Sequence, residues 1–342
     1  KAGPTAGERV LLTAASNSMI AIGNLVKKFG PFTAVDGVSF SVAKGEVLGF
    51  LGPNGAGKST TMKMVTGYLA PTEGSISVCG HKMDEETLAA QRLIGYLPEG
   101  APAYTDMTPL EFLRFIANVR GLKGADAKAA IDRAVARTEI GGVLEQAIDT
   151  LSKGFRRRVG LAQAILHDPA VLIMDEPTDG LDPNQKYAVR KLIAEMAPEK
   201  AIIISTHILE EVDAICTRAL IIDRGQIVAD GTPAQLMARS RYHNAVSLIM
   251  PAAQSGGVAE ILGALPGVAA VEAQPRGEDA AFTVFQPQGA EGDTRLIDEI
   301  ANLAKEKGWT LRTLYREPGR LDEVFRRLTR PDTETDASGE AA

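Results

Sequence analysis

One glycine-rich segment constrains this chain more than any other feature. It reads Gly-Pro-Asn-Gly-Ala-Gly-Lys-Ser over residues 52–59, between the apolar run Val47–Leu51 and a helical pattern that begins at Thr60. A glycine-rich turn of this kind brings backbone N–H groups close to phosphate oxygens at the start of a helix, where negative charge is favoured. In this context the complete pattern favours a phosphate-binding loop in an α/β fold over a turn that only joins a strand to a helix.

Individual positions of this loop predict how a nucleotide would be held. The glycines at 52, 55 and 57 let the backbone wrap around phosphate oxygens, and Lys58 adds a full positive charge for the β and γ phosphates. Ser59 is expected to place its hydroxyl on Mg²⁺. The predicted nucleotide-binding set is Gly52, Asn54, Gly55, Gly57, Lys58, Ser59 and Thr60.

A pair of carboxylates follows a second apolar run. Val171–Met174 reads as a buried strand, and Asp175 and Glu176 stand at its carboxyl end, the side on which open α/β sheets bind ligands. One carboxylate can hold the metal ion, while the other can orient and deprotonate a water molecule for in-line attack on the γ-phosphate. An Asp-Glu pair is usually a solvated loop feature, but a buried strand before it and a phosphate loop in the same chain favour a functional pair.

The composition excludes several other classes of protein. The chain has 342 residues, with 37 Lys and Arg, 43 Asp and Glu, a formal net charge of −6 and 45% apolar residues. This globular composition leaves room for about two domains and gives no sign of a nucleic-acid partner. Cys79 and Cys216 lie far apart without CxxC spacing, which excludes a disulfide framework or a cysteine-rich zinc site. The longest apolar runs have only the length of strands, so no membrane-spanning helix is predicted.

The order of elements predicts an α/β domain over residues 19–240. Short buried strands alternate there with helical patterns, which is typical of a mainly parallel sheet. Between about residues 100 and 168 strand signals vanish, and a helical subdomain is expected with Phe112, Phe115, Ile116 and Val119 on one helix face. The buried strands expected in this domain are Glu46–Leu51, Val171–Met174, Ala201–Ser205 and Ala219–Ile222.

A different pattern occupies residues 241–330. Its strand-helix-strand-strand-helix-strand order suggests a small C-terminal α+β module of ferredoxin-like type, closed by a helix at Leu321–Leu328. Such a module can sense a small ligand, dimerise or pack on its own first domain, and dimer or partner contact is favoured. We expect Met19 to be the natural start, residues 1–18 to be a tag or disordered extension, and the acidic, polar residues 331–342 to be a disordered tail.

Three further motifs carry a resemblance to a known family. Leu151-Ser-Lys-Gly-Phe155 looks like the ABC signature, Asp179-Gly-Leu-Asp182 like the D-loop, and Ser205-Thr-His207 like the switch-histidine loop. Over about residues 19–235 the chain therefore resembles an ABC transporter ATPase subunit, a P-loop NTPase. Ile94-Gly-Tyr-Leu-Pro-Glu99 and the C-terminal module are most similar to ATPases of ABC-2 type export permeases, with the gliding-motility-associated ABC ATPases as the nearest branch.

The resemblance implies roles for residues that match the family's motifs. Glu176 is then the catalytic base, Asp175 a metal ligand, and His207 a contact to the γ-phosphate that holds the transition-state geometry. Phe29 stands where an aromatic ring stacks on adenine, with an ordinary core aromatic as the alternative. Glu99 occupies the Q-loop position, where most of the family has a Gln that contacts Mg²⁺ and the attacking water.

The signature and the D-loop imply contacts across a dimer. Ser152 and Gly154 are expected to reach the γ-phosphate of a nucleotide held by the opposite subunit. In the D-loop, Asp182 is preferred as a nucleotide contact over Asp179, which replaces a commoner small residue. The departures from the usual signature are Lys153 and Phe155.

Two other sets of residues are expected to be structural. The run Arg156–Arg158 begins a helix after the signature, which favours a solvated face or a partner contact over an anion site. His81, His167 and His243 lack the sequence context of His207 and are interpreted as structural.

The resemblance implies an ATPase that converts ATP to ADP and phosphate with Mg²⁺. Two copies would enclose two ATP molecules, and a separate ABC-2 type permease would convert closing and opening of this homodimer into transport at the cytoplasmic face of the inner membrane. Two alternatives stay open. One is an ABC ATPase that serves no transporter, and the other is a regulatory module in which ATP holds an assembly together with little turnover.

Overall fold

The computed structural model describes residues 18–100, 103–287 and 295–329. The expected extension, apart from Ser18, and the expected tail lie outside these residues. Contacts within the chain group it into two units that divide after Thr232. Within the described ranges, no helix is long and apolar enough to cross a membrane.

A six-stranded sheet forms the centre of the first unit. Its strand order is β10-β9-β3-β8-β7-β6, and its strands are parallel except for the edge strand β10. In chain order the strands are β3 (Val47–Leu51), β6 (Ile94–Leu97), β7 (Val171–Asp175), β8 (Ala201–Thr206), β9 (Arg218–Asp223) and β10 (Gln226–Gly231). Every residue of β3, β7 and β8 is buried, as expected for a parallel sheet covered on both faces.

The register of this sheet determines where its loops meet. Leu51 is paired with Thr206, and Asp175 with Ser205, so β3, β7 and β8 end side by side. The phosphate loop, Glu176 and His207 follow directly on these three strands. The carboxyl edge of the sheet therefore brings together segments that are up to about 150 residues apart in sequence.

The first unit also contains a second, antiparallel sheet, which was not predicted from the sequence because one mainly parallel sheet was expected. Its order is β2-β1-β4-β5, with β1 (Ser18–Phe29), β2 (Phe32–Ala43), β4 (Glu73–Val78) and β5 (His81–Lys82). The two sheets share one core, in which the rings of Phe40 and Phe50 lie 5.5 Å apart between centroids. Phe29, expected before the first strand, is the last residue of β1.

Seven α-helices complete the first unit among its described residues. They are α1 (Lys58–Val65), α2 (Thr87–Arg92), α3 (Pro109–Val119), α4 (Gly124–Thr138), α5 (Lys153–Ile165), α6 (Pro183–Met196) and α7 (Leu209–Ile215). Helix α3 begins at a capping box, in which Thr108 accepts from the Glu111 N–H and the Glu111 carboxylate accepts from the Thr108 N–H. Described residues 103–168 contain helices and turns but no strand.

The buried face of α3 differs from the predicted one. Phe112 is buried as expected, together with Leu113 and Ala117, but Phe115 is 38% exposed and Val119 is 67% exposed. The i, i+3, i+4, i+7 pattern identifies a helix, yet two adjacent apolar faces compete for the core in this segment. Val119 on the exposed side lines a surface groove together with Ile116.

The second unit is a four-stranded antiparallel sheet with two helices in its connections. Strand order is β12-β13-β11-β14, and the elements follow one another as β11, α9, β12, β13, α10 and β14. Leu248, Phe282, Leu262 and Ile300 belong to its core, so α9 and α10 pack on the sheet. The bounds are α8 (Pro233–Met237), β11 (Val246–Pro251), α9 (Val258–Gly263), β12 (Ala270–Arg276), β13 (Asp279–Phe285), α10 (Arg295–Lys307), β14 (Thr313–Arg316) and α11 (Leu321–Leu328).

Candidate functional site

The phosphate loop runs from the end of β3 into α1, and two of its glycines are required by close packing. A Cβ on Gly52 would lie 2.4 Å from the carbonyl oxygen of Ile222, and one on Gly57 would lie 2.5 Å from that of Ala34. Gly57 also has φ +103°, a conformation that L side chains rarely adopt. By contrast, a Cβ on Gly55 would meet nothing within 4 Å. The loop is therefore packed tightly at both ends and open at Gly55, as a cradle for a ligand requires.

Lys58 is the first residue of α1 and is only 7% exposed. Its Nζ donates to the carbonyl oxygens of Gly52 at 2.7 Å and Pro53 at 3.0 Å, so the ammonium group lies inside its own loop. Burial lowers the pKa of Lys58, while the carboxylates of Glu176, Asp175 and Glu99 act in the opposite direction. A phosphate, which is negatively charged, would be a stronger acceptor for this ammonium group than the two neutral carbonyls.

Asp175 ends β7 and is 2% exposed. The hydroxyl of Ser205, its register partner on β8, donates to Asp175 Oδ1. This bond fixes one oxygen of the carboxylate and leaves the acceptor capacity of the other for a ligand.

Glu176 is held in an unusual backbone conformation beside His207. Its φ is +52°, which is uncommon for a residue other than glycine, and its N–H donates to the Ser205 carbonyl at 2.9 Å. Its Oε1 lies 2.8 Å from Nδ1 of His207, while its Oε2 is buried without a hydrogen-bond partner. The carboxylate is thus oriented by one contact and retains a second oxygen that can accept a proton.

These residues fit a nucleotide with Mg²⁺. Ser59, Asp175 and Glu99 offer only hydroxyl and carboxylate oxygens, the ligands that Mg²⁺ prefers. Within the described chain, no group of three or more His, Cys, Asp or Glu side chains could hold a metal ion. Mg²⁺ commonly takes one or two protein carboxylates together with substrate phosphates and water, so a nucleotide would have to supply part of its coordination.

The signature residues lie at the start of α5. Ser152 caps this helix by accepting from the Phe155 N–H at 3.3 Å, and a Cβ on Gly154 would lie 2.5 Å from Gln185 Oε1. Lys153, a departure from the usual signature, forms an ion pair with Asp179 at 2.7 Å. The signature and the D-loop are therefore joined within one subunit.

The remaining predicted nucleotide contacts lie in different settings. Asp182 caps α6 by accepting from the Gln185 N–H at 2.9 Å, so its side chain already has a structural partner. Phe29 is 48% exposed, which excludes the alternative of a core aromatic, and Lys27 Nζ lies 5.2 Å from its ring centroid. Asn54 and Glu99 are exposed and Thr60 is partly buried.

The burial of two arginines was not predicted from the sequence. Arg157 and Arg158 are 5% and 8% exposed, so the expected solvated face at 156–158 is wrong for both. Arg157 donates to the carbonyl oxygens of Asp175 and Glu176 and to that of Pro98, the last at 3.0 Å. The available signal was helical spacing, because Arg157 shares a face of α5 with the buried Leu161.

A glycine-rich loop between a parallel strand and a helix, with two carboxylates and a histidine at the same sheet edge, defines a P-loop ATPase site. The ABC transporter family profile matches residues 35–179. Nod factor export ATP-binding protein I of Paraburkholderia xenovorans (strain LB400) is 37% identical over 220 residues, which cover 64% of this chain and 72% of that protein. Linearmycin resistance ATP-binding protein LnrL of Bacillus subtilis (strain 168) is 39% identical over 225 residues, or 65% and 71% of the two chains. The chain therefore belongs to the family of ABC transporter ATP-binding subunits.

A longer match and two solved structures extend the comparison. Nod factor export ATP-binding protein I of Burkholderia pseudomallei (strain K96243) is 35% identical over 307 residues, which cover 89% of this chain and 94% of that protein. An ATP-binding subunit of an ABC transporter superposes with TM-score 0.61 at 30% identity, covering 65% of this chain and 93% of that one. The dimeric ATP-binding cassette MJ0796 bound to ADP and Pi superposes with TM-score 0.59 at 21% identity, covering 63% and 99%. The first unit has the ABC ATPase fold, and members of this family bind ATP, typically with Mg²⁺.

Proposed function

We propose that this chain is the ATP-hydrolysing subunit of an ABC-2 type export system that drives a separate membrane permease. The observation that carries the proposal is the position of Glu176, whose Oε1 lies 2.8 Å from His207 Nδ1 at the sheet edge that also carries the phosphate loop. A module that only binds ATP has no need of an oriented carboxylate with a free, buried oxygen there. The similar proteins named for Nod factor export and for linearmycin resistance favour export.

The residues of the site divide the reaction between them. Lys58 and the backbone N–H groups at the start of α1 would hold the β and γ phosphates, and Ser59, Asp175 and Glu99 would hold Mg²⁺. Mg²⁺, when bound, neutralises phosphate charge. Glu176 accepts a proton from the attacking water, and His207 orients Glu176 and contacts the γ-phosphate. Phe29 and Asp182 complete the predicted nucleotide contacts.

The second set of contacts comes from another copy of the chain. Ser152 and Gly154, at the N-terminus of the 13-residue helix α5, reach the γ-phosphate held by the opposite subunit. A helix N-terminus favours negative charge, which supports this assignment. Because both subunits hold the γ-phosphate, its loss on hydrolysis reopens the homodimer.

A surface groove of about 750 Å³ is the proposed docking site of the permease at the cytoplasmic face of the inner membrane. One side of the groove is formed by β6, which ends two residues before Glu99. The other side is formed by helices of the subdomain at residues 100–168. Tyr68, Leu88 and Val119 line it and are 81%, 73% and 67% exposed. Large apolar side chains exposed together mark an interaction site, which supports a partner helix here.

The second unit is proposed to act as a ferredoxin-like accessory domain that makes dimer or partner contacts. The order β11-α9-β12-β13-α10-β14 and the antiparallel strand order β12-β13-β11-β14 support this assignment. The proposed domains are residues 19–240 for the ATPase and 241–330 for the accessory domain. Placement within the gliding-motility branch stays a prediction.

Phosphate release by the purified chain tests the enzymatic part of the proposal. Release should require Mg²⁺ and ATP and should be nearly lost in Glu176→Gln. If the chain binds ATP with the same affinity in both forms but neither form releases phosphate above background, a regulatory assembly module replaces the ATPase as the function.

Co-purification from the native host in mild detergent tests the transport part. The chain should be recovered with a polytopic membrane protein, and Val119→Glu should lower that recovery without changing basal ATP hydrolysis. Val228→Glu is a matched control, because Val228 is 37% exposed on β10 and does not line the groove. Recovery with DNA or ribosomes that resists about 0.5 M salt would instead favour an ABC ATPase without a transporter.

A further inference from the structure

Helix α5 directs two cationic side chains at the loop that carries Glu176. Lys153 and Arg157 are four residues apart, so they lie on one face of the helix. Lys153 pairs with Asp179 at 2.7 Å, and Arg157 donates to the carbonyl oxygens of Asp175 and Glu176. The helix that begins with the signature is therefore bonded to the catalytic loop of its own subunit at two points.

The two contacts differ in strength. Both partners of the Lys153–Asp179 pair are at least half exposed, and exposed ion pairs contribute little because water screens them. Arg157 is 5% exposed, and its charge-assisted bonds to carbonyl oxygens are buried or partly buried. Arg157 therefore dominates the connection between α5 and the loop.

Arg157 also reaches a third segment. Its Nη1 donates to the Pro98 carbonyl at 3.0 Å, next to Glu99, while its Nη2 donates to the two carbonyls of the catalytic loop. Its Nε has no hydrogen-bond partner, so all three contacts are made by the two terminal nitrogens of the guanidinium. A lysine has one terminal nitrogen and cannot reproduce this planar fork.

The Asp175 and Glu176 carbonyl oxygens, to which Arg157 donates, lie at the backbone turn that orients Glu176. Glu176 has φ +52°, and a residue other than glycine stays in that region only when its surroundings hold it. The Asp179 N–H also donates to the Glu176 carbonyl, at 3.1 Å, which closes the turn on its other side. Removing the guanidinium would leave the turn with weaker support at the point where the carboxylate side chain begins.

We propose that Arg157 is a positioning residue that holds Glu176 in its catalytic orientation and links it to the segment at Pro98 and Glu99. This inference rests on the proposed hydrolytic role of Glu176. Through Arg157, a displacement of the Pro98 segment beside the docking groove changes the position of the carboxylate without any contact between the groove and the nucleotide.

Three variants of the full chain test this role. Arg157→Lys keeps the positive charge but loses the fork, Arg157→Met removes both, and Arg158→Lys is the matched control. Arg158 is equally buried on the next position of α5 but donates to the carbonyl of Glu139, at 3.1 Å, rather than to the catalytic loop. The measurements are kcat and KM for MgATP hydrolysis, the thermal midpoint, and hydrogen exchange of peptides that cover residues 175–180.

In Arg157→Lys we expect kcat to fall about 10- to 100-fold with KM within threefold of the wild type, because the phosphate cradle is intact but the base is misplaced. Exchange at residues 175–180 should rise in this variant and not in Arg158→Lys, even if their thermal midpoints fall equally. Wild-type kcat and wild-type exchange in Arg157→Lys would overturn the proposal, as would equal effects in both lysine variants. A wild-type chain without hydrolysis would contradict the proposed function instead, and the exchange measurement would still decide whether Arg157 holds the loop. If Arg157→Met fails to fold, Arg157→Lys alone decides.

Discussion

Glu176 and His207 meet at the ends of two adjacent parallel strands, with Glu176 Oε1 2.8 Å from His207 Nδ1. The histidine side chain is 57% exposed, whereas the glutamate side chain is 13% exposed. A half-exposed imidazole bonded to a mostly buried carboxylate can orient that carboxylate from the ligand side of the sheet. Because His207 holds Oε1, the orientation of the Glu176 carboxylate is set even though its Oε2 has no hydrogen-bond partner.

The first prediction concerns Glu176→Gln. The amide cannot accept a proton from water, so hydrolysis should fall by about 10² to 10⁴-fold while ATP binding is retained. A nucleotide-bound dimer should then accumulate, which size-exclusion chromatography with Mg²⁺-ATP can detect. Glu210→Gln, an exposed position on α7, is the control and should behave as the wild type. A Glu176→Gln protein that binds ATP but stays monomeric would contradict the dimer mechanism.

The second prediction uses two inactive variants that should complement each other. Lys58→Ala loses the charge that holds phosphates, and Ser152→Arg blocks the signature contact, so each homodimer should hydrolyse little ATP. In a mixed dimer both lesions fall in one site and the other site is intact. Equal mixing with free exchange should restore about a quarter of the wild-type rate, since half of the dimers are mixed and each has one intact site.

The Ser152→Arg protein alone provides the stricter test of that assignment. Strict coupling between the two sites would prevent rescue in the mixture, so absence of rescue does not by itself locate the signature. Wild-type hydrolysis by Ser152→Arg would, however, show that the signature is outside the active site.

The third prediction isolates the shape of the phosphate loop. In Gly52→Ala the added Cβ would lie 2.4 Å from the Ile222 carbonyl, so the loop must shift. We expect the dissociation constant for ATP, measured by calorimetry, to rise by roughly tenfold or more, which corresponds to about 1.4 kcal/mol. Gly142→Ala is the control, because a Cβ there meets nothing within 4 Å and the backbone has an ordinary φ. Equal affinities in the two variants would mean that the loop tolerates the displacement.

The fourth prediction concerns pH and His167. Burial lowers the pKa of His167 to about 4 from its ordinary 6.5, and its Nε2 lies 3.1 Å from the Ile94 carbonyl. Between these two values the unfolded chain binds the proton and the folded chain does not, so stability falls as pH decreases from 6.5 towards 4. Relative to His167→Gln, the wild type should lose about 2 kcal/mol more between pH 7 and pH 4.5.

Urea unfolding followed by circular dichroism measures this difference, and the transition that MgATP shifts identifies the first unit. Tryptophan fluorescence would not serve, because Trp309, the only tryptophan, lies in the second unit. Parallel stability curves for the two proteins between pH 4.5 and pH 7 would show that His167 is not buried in its neutral form.

Local rules were sufficient for the loops at the end of the parallel strands. Val47–Leu51, Val171–Met174 and Ala201–Ser205 are short, uninterrupted apolar runs, which is the pattern of strands buried on both faces. The pattern places Asp175 and Glu176 at the ligand-binding edge of the sheet, and in the structure both carboxylates are close enough to Lys58 to act on its pKa.

The antiparallel sheet was not predicted from the sequence because the pairing of its long strands is irregular. The pairing of β1 with β2 shifts register at several points between Ser18 and Lys28, and each shift breaks the alternation by which a half-buried strand is identified. The buried face of α3 was also predicted incorrectly. Leu113 and Phe115 are both apolar, and only the neighbouring elements decide which of them is buried.

Short-range patterns of apolar residues and glycine are enough to predict the phosphate loop, the strands that position it and the residues at the sheet edge. By contrast, the burial of Arg157 against Pro98, Asp175 and Glu176 and the pairing of Lys153 with Asp179 follow from tertiary packing. Those contacts join segments that are 18 to 59 residues apart, and the free energy of burying a guanidinium depends on carbonyl partners whose positions no local pattern specifies.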